Sequence, residues 1–219
     1  MIYRFDINTL SMKLSVIISF LVVTSLENVS AQNAYVKLGQ QALMEGDFKV
    51  AVAQLEKACL IDSTNANALW MLGYSYYHSE NYKKSIAAYT KEISINPIDA
   101  SAYYYRARAK SYLGKDNQLT AAEREKYLIG AIFDLTKAIS IDPNDASNKF
   151  FQTRGIAYRE YGLFKLQTGN HADHIRGINS LKASITDLEK VLADNPSRAD
   201  ISSLIDLSKQ KLDEAIVRR

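Results

Sequence analysis

The chain has 219 residues, of which 47% are hydrophobic and 23% are charged. These proportions are ordinary for a folded protein with a packed core, and they exclude an intrinsically disordered chain. The formal net charge is only +3 and no long run of like charge occurs, so the sequence lacks the charge pattern of a nucleic-acid-binding protein.

The segment from residue 14 to residue 26 is the most apolar part of the chain. It reads LSVIISFLVVTSL, follows Lys13, and is succeeded by Val29-Ser30-Ala31, which suits a cleavage site. We predict that residues 1–31 are a cleaved secretory signal peptide and that the mature protein is exported to the periplasm or outside a bacterial cell. A retained anchor is the alternative, but this run of 13 residues is shorter than the ~20 residues that span a bilayer. We therefore expect no stable membrane insertion after cleavage.

Four short polar segments divide the rest of the chain. Three of them contain the chain's prolines: Ile95-Asn96-Pro97-Ile98-Asp99, Ile141-Asp142-Pro143-Asn144-Asp145 and Asp194-Asn195-Pro196-Ser197. The fourth, Ile61-Asp62-Ser63-Thr64-Asn65, has serine in place of proline. Because proline cannot continue a helix, each segment predicts a helix end. The segments delimit four units of two helices each, at residues 32–65, 66–99, 100–145 and 146–197.

The second unit is the most regular. Residues 66–99 form an uninterrupted stretch of 34 residues, a period that is typical of helical repeat arrays. Its apolar and small residues follow a W-x₂-L-G-x₂-Y and then an A-x₃-F spacing, at Leu69, Leu72, Gly73, Tyr76, Ser85 and Tyr89, before the terminal Pro97. This unit resembles the tetratricopeptide repeat. The resemblance implies an all-α fold, a right-handed α-solenoid of helix-turn-helix repeats.

Units three and four are longer than unit two. In unit three the extra residues, 115–126, follow Gly114, and Thr120 with Glu123 forms a capping-box pair that predicts a second helix beginning near Ala121. In unit four both helices are lengthened around the turn at Thr168-Gly169-Asn170, which predicts a projecting hairpin. Residues 198–219 show helical apolar spacing and are predicted to form the capping helix that covers the last repeat.

The resemblance also implies where a partner binds. In the tetratricopeptide family the first helices of successive repeats line a concave groove, which holds partners as extended peptides or helices. The residues predicted on this groove are Gln40, Asn67, Trp70, Tyr74, Tyr77, Tyr104, Arg108, Gln152 and Arg159. Tryptophan, tyrosine and arginine are enriched among residues that dominate binding energy, so we predict a protein or peptide partner. The alternative is that tyrosines simply suit the surfaces of amphipathic helices.

The predicted groove does not have the residues of the family's carboxylate clamp. The carboxylate clamp of chaperone-binding family members would need lysine, asparagine and arginine, and the corresponding positions hold Val36, Gln40, Met71, Ser101 and Tyr105. A ligand must therefore be held mainly by apolar and aromatic contacts.

Glu92 replaces the usual alanine that faces the next repeat, and Lys110 replaces a usual aromatic residue. We therefore predict that the two form an ion pair between repeats.

The sequence contains no pattern of residues typical of catalysis. It lacks a GxSxG elbow, an HExxH pair and a phosphate-binding glycine loop, and we predict a protein that is not an enzyme and uses no cofactor. His171 and His174 flank Asp173, but a zinc site needs three or four well-placed ligands, so no metal is expected. Two alternatives to a binding adaptor remain, namely a structural subunit that oligomerises and a glycan- or small-molecule-binding accessory to a cell-envelope enzyme.

Overall fold

The computed structural model of the protein describes residues 30–145 and 147–217, and the regular structure in these ranges consists of α-helices. They are α1 (residues 30–44), α2 (Phe48–Ile61), α3 (Ala66–His78), α4 (Tyr82–Ile95), α5 (Ala100–Gly114), α6 (Ala121–Ile141), α7 (Lys149–Leu166), α8 (His171–Asp194) and α9 (Ala199–Val217). The predicted signal peptide lies outside the described residues except for its last two positions. No helix of the described part is long and apolar enough to cross a membrane.

The helices stack serially. From α2 onward each helix packs against the next one along the chain, and the alternate helices α3, α5 and α7 also touch one another. This order of contacts is that of an open array of helix pairs rather than a closed bundle, so the predicted all-α solenoid is confirmed. Helix α9 covers the apolar face of the last pair through Ile201 and Ile205, which pack with Leu188 of α8.

The polar segments between the units end the helices as predicted. Helices α4, α6 and α8 each stop immediately before a segment that contains a proline. The next helix is then started by a polar side chain, such as that of Asp99, which accepts hydrogen bonds from the first backbone amides of α5. The capping box is also confirmed, because Thr120 and Glu123 bond reciprocally and α6 begins at Ala121.

Small residues allow the paired helices to approach closely. A Cβ atom placed on Gly73 would lie 2.9 Å from the ring of Tyr89, and one on Gly155 would lie 2.9 Å from Leu188. In the last pair, a Cβ atom on Gly162 would lie 3.0 Å from the carbonyl oxygen of Gly177 and 3.1 Å from Leu181 Cγ. The backbones of α7 and α8 are therefore in direct contact at this crossing.

We expect Gly162→Ala to destabilise the protein by about 1–3 kcal/mol, because the added methyl group meets backbone atoms that cannot rotate away. This expected value is the net effect: the steric clash outweighs the roughly 1 kcal/mol by which alanine favours a helix interior over glycine. Urea denaturation of the variant and the wild type measures the difference. An unchanged or higher free energy of unfolding would show that α7 and α8 can separate at this point without cost.

A buried arginine connects the second and third repeats. Arg106 on α5 donates two hydrogen bonds to Asp134 on α6, from Nε at 2.8 Å and from Nη2 at 2.6 Å. Its Nη1 donates to Thr90 Oγ1 on α4 at 3.2 Å. Lys110 also pairs with Asp134, whose side chain is only 6% exposed. We call this set of arginine, aspartate and threonine a brace, since it ties one helix pair to the preceding one.

A second brace repeats this geometry one unit later. Arg154 on α7 donates from Nε and Nη2 to Asp187 on α8, at 2.7 and 2.8 Å, and from Nη1 to Thr136 on α6 at 3.3 Å. The hydrogen bonds to Asp187 raise the pKa of the Arg154 guanidinium above its ordinary value. Repeats two, three and four are therefore linked by two braces of the same kind.

The predicted ion pair between Glu92 and Lys110 is wrong. Lys110 Nζ lies 2.7 Å from Asp134 Oδ2, whereas Glu92 Oε2 has no hydrogen-bond partner. A short turn joins α4 to α5, so the end of α4 lies beside the start of α5. Lys110 lies ten residues after the first residue of α5, about 15 Å along the helix from the end that meets Glu92.

Candidate partner-binding groove

Aromatic side chains from α3 and α5 meet at the predicted groove position, between the first helices of successive repeats. Trp70 stacks on Tyr74 with ring centroids 5.4 Å apart. Tyr105 of the next repeat contacts both rings edge to face, at 5.8 Å from Trp70 and 5.1 Å from Tyr74. Residues four apart lie on one face of a helix, which is why the α3 pair can stack and still reach α5. Such offset and edge-to-face arrangements are the favourable ones for aromatic pairs.

Arg108 lies among the tyrosines of this surface. Its guanidinium carbon is 4.9 Å from the ring centroid of Tyr77, 5.5 Å from that of Tyr104 and 5.8 Å from that of Tyr105. Within the described residues no carboxylate forms an ion pair with it. Its hydrogen-bond donors therefore remain available to acceptors on a ligand.

We call these six residues the aromatic strip: Trp70, Tyr74, Tyr77, Tyr104, Tyr105 and Arg108. Five of them were predicted as groove residues, and the structure brings those five together. Tyr105 was missed as a groove residue although it contacts all of the other five. The sequence signal is the run Tyr103-Tyr104-Tyr105. Adjacent residues of a helix point to different faces, so such a run places tyrosines on more than the one face that was predicted.

The members of the strip differ in accessibility. Trp70, Tyr74, Tyr104 and Arg108 are partly exposed. Tyr77 is only 5% exposed, and burial raises the pKa of its hydroxyl far above the ordinary value. Tyr77 therefore supports Arg108 from below and offers little surface of its own.

The strip extends toward both neighbouring repeats. At the end of α3, His78 stacks on Phe48 of α2 with a centroid distance of 4.7 Å. Burial and the nearby Arg108 charge lower the pKa of His78, which favours its neutral form. On the other side, Tyr104 contacts Phe150 of α7 at 5.5 Å. Aromatic contacts therefore run from the first repeat to the fourth.

The remaining predicted groove residues lie away from this cluster. Gln40 is exposed on α1. Gln152 accepts a hydrogen bond from Arg198 at 3.3 Å, so it is engaged with the segment that precedes α9. Arg159 lies near Glu160, at 4.0 Å between Nη1 and Oε1, and its buried Nε has no partner. The structure does not bring these three residues to the strip.

The last predicted groove residue, Asn67, is exposed at the start of α3 and lines a cavity of about 440 Å³. The lining residues of this cavity, here called the acidic pocket, are Ala66, Asn67, Trp70, Glu92, Asn96, Asp99 and Ser101. Trp70 Nε1 donates a hydrogen bond to Ser101 Oγ at 3.1 Å across the pocket wall. Because Trp70 belongs to both features, the acidic pocket is continuous with the aromatic strip.

A larger cavity of about 940 Å³ lies at the opposite end of the array. It is bounded by the turn between α7 and α8 and by the end of α9. His174 Nε2 lies 2.9 Å from the carbonyl oxygen of Ala215, so the end of α9 packs against the first turn of α8. The α7–α8 hairpin was predicted to project from the array, but α9 lies along its whole length. In the described ranges no three histidine, cysteine, aspartate or glutamate residues are placed to hold a metal ion.

Comparison with known proteins supports the repeat pattern. Residues 66–99 match a family model described as the tetratricopeptide repeat. A crystal structure of MamA is 24% identical and covers 73% of this chain and 79% of its own, with a TM-score of 0.54. MamA residues 41 to the end from Desulfovibrio magneticus RS-1 are 14% identical over 86% of this chain and 97% of their own, with a TM-score of 0.53.

A third similar structure is Pseudomonas aeruginosa PilF, which is 20% identical over 85% of this chain and 71% of its own, with a TM-score of 0.52. At these identities the structural matches show a shared fold and nothing finer. The sequence of this chain matches no curated protein.

Proposed function

We propose that this chain, a tetratricopeptide repeat protein, is a non-catalytic adaptor or assembly factor that binds a protein or peptide partner on the aromatic strip. The tetratricopeptide repeat fold itself points to protein interaction or a scaffold role. The observation that carries the finer proposal is the position of Arg108, which is held by three tyrosine rings and paired with no carboxylate of the described residues.

The chemistry of the strip suits a polypeptide ligand. Its rings are packed against one another, so they supply contact area with little loss of side-chain freedom on binding. Arg108 presents donors that can meet backbone carbonyls or acidic side chains of a partner. Partly exposed aromatic residues around a single arginine form the kind of centre in which binding energy is concentrated.

The site of action follows from the N-terminal segment. The apolar run before residue 31 supports export, so the partner is a periplasmic or extracellular protein of the bacterial envelope. The structure contributes no observation on export, since residues 1–29 lie outside its description.

Affinity capture from the native envelope tests this function. We expect Trp70→Ala or Tyr104→Ala to weaken binding of the captured partner by about 30-fold or more, since these side chains lie in the centre of the strip. Phe133→Ala is the matched control, because Phe133 is an aromatic residue that is 70% exposed on α6 away from the strip. Circular dichroism shows whether each variant is folded. Equal capture by a folded Trp70→Ala variant would refute the strip as the binding surface.

A further inference from the structure

The acidic pocket contains a buried carboxylate that no described residue neutralises. Glu92 on α4 is only 1% exposed, and its Oε2 makes no hydrogen bond. A buried polar atom without a partner costs about 1–3 kcal/mol, and more when the group is charged. Folded proteins rarely retain such an atom, so its presence calls for an explanation.

The surroundings of Glu92 increase its need for a positive partner. Burial raises its pKa to about 7, and the nearby Asp99 carboxylate adds to this effect. Asp99 itself is fixed at the start of α5, where its Oδ1 accepts from the amides of Ser101 at 2.8 Å and Ala102 at 3.1 Å. The pocket thus holds two acidic side chains at one end.

The other groups around Glu92 do not compensate its charge. From α5, the Arg106 guanidinium lowers the Glu92 pKa only in part, because Arg106 is committed to Asp134 in the first brace. On α4 itself, the Asn96 amide also lowers it, and the Tyr89 hydroxyl oxygen is buried and has no hydrogen-bond partner. Glu92 therefore still lacks a positively charged partner or a strong hydrogen-bond donor.

We propose that the acidic pocket binds a cationic side chain of the partner, whose charged nitrogen is attracted by the Glu92 carboxylate at the pocket wall and whose carbon chain packs on Trp70. This inference rests on the proposed function, since the partner lying on the aromatic strip delivers the side chain. Tryptophan is the aromatic residue that cations favour most, and Trp70 lines the pocket. A cavity of about 440 Å³ is large enough for one lysine or arginine side chain.

The chain offers a direct reporter, because Trp70 is its single tryptophan. Fluorescence of Trp70 can be followed while the protein is titrated with Nα-acetyl-lysine methylamide, whose side-chain ammonium group is free. The norleucine counterpart, which has a similar carbon chain and no charge, is the control ligand. N-acetyl-arginine methylamide shows whether an ammonium or a guanidinium group is preferred.

We expect saturable binding of the lysine probe, with at least tenfold weaker binding of the norleucine probe. Binding of a cation favours ionised Glu92, so the affinity should increase about tenfold between pH 6 and pH 8 as the free carboxyl ionises. Glu92→Gln should abolish both the preference for lysine and the dependence on pH. Glu189→Gln, which removes a half-exposed carboxylate on α8, should leave both unchanged.

Equal binding of the lysine and norleucine probes to the wild-type protein would overturn the proposal. Lysine binding that is unaffected by Glu92→Gln would also overturn it. Either result leaves the aromatic strip untouched, because the capture experiment with Trp70→Ala and Tyr104→Ala uses the whole partner. The two proposals can therefore fail separately.

Discussion

Replacing Asp134 with alanine should lower the free energy of unfolding by about 3–5 kcal/mol, because it leaves two buried cations without their shared carboxylate. Arg106 is 13% exposed and Lys110 is 18% exposed, so water can replace the lost partner only in part. Burial already lowers the pKa of Lys110 against the opposing effect of Asp134. Urea denaturation at neutral pH measures the loss, which is a large part of the 5–15 kcal/mol that stabilises a typical domain.

The matched control is Glu189→Ala. Glu189 pairs with Lys209 at 2.9 Å, but both side chains are 51% exposed, and such surface pairs contribute about 0–1 kcal/mol. A second comparison replaces the whole buried set with Arg106→Met, Lys110→Met and Asp134→Leu. We expect this triple variant to recover most of the stability, because apolar side chains carry no desolvation cost. A loss in Asp134→Ala no larger than that in the control would contradict the role of the brace.

Replacing Glu92 with glutamine should stabilise the protein at pH 8 by about 3 kcal/mol and leave its stability near pH 4 almost unchanged. The Glu92 pKa is about 7 in the folded protein and 4.5 as its ordinary value. The folded state therefore binds a proton more tightly than the unfolded state. Stability contributed by this proton is fully present below pH 4.5 and is lost as the pH rises through 7.

Thermal or urea denaturation across this pH range tests the effect of Glu92. The wild type should become less stable from pH 5 to pH 8, and the glutamine variant should show a flatter dependence. Glu123→Gln on the exposed start of α6 serves as the control, because hydrogen bonds from Thr120 lower the pKa of Glu123 rather than raise it. Parallel pH profiles for wild type and Glu92→Gln would mean that Glu92 is not strained by its burial.

The features of the fold that follow from local chemistry could be predicted from the sequence. Proline in the segments at Pro97, Pro143 and Pro196 blocks a helix whatever surrounds it. The capping box at Thr120 and Glu123 depends on residues three apart and so could be read directly. The 34-residue period of the second unit indicated the helix pairs, and the family resemblance implied which helices would line a groove.

Features that depend on the register between helices could not be predicted in the same way. The pair Glu92 and Lys110 was chosen by position within adjacent repeats, but Lys110 pairs with Asp134 on the other helix of its own repeat. The second brace could have been recognised, since Asp134 and Asp187 each stand nine residues before a proline. The run Tyr103-Tyr104-Tyr105 marks a candidate, but which of these tyrosines reaches Trp70 depends on how α5 packs on α3.

The braces also join the repeats unequally along the array. Buried, paired hydrogen bonds connect the second, third and fourth repeats, whereas the described contacts between the first and second repeats include the apolar cluster around Leu55, the stacking of Phe48 on His78 and the more exposed pair of Glu56 and Lys84. An exposed ion pair contributes only about 0–1 kcal/mol. A ligand bound between α3 and α7 would thus contact repeats that are held together by buried charges, and residues that flank it at α1 would contact a repeat without such a link.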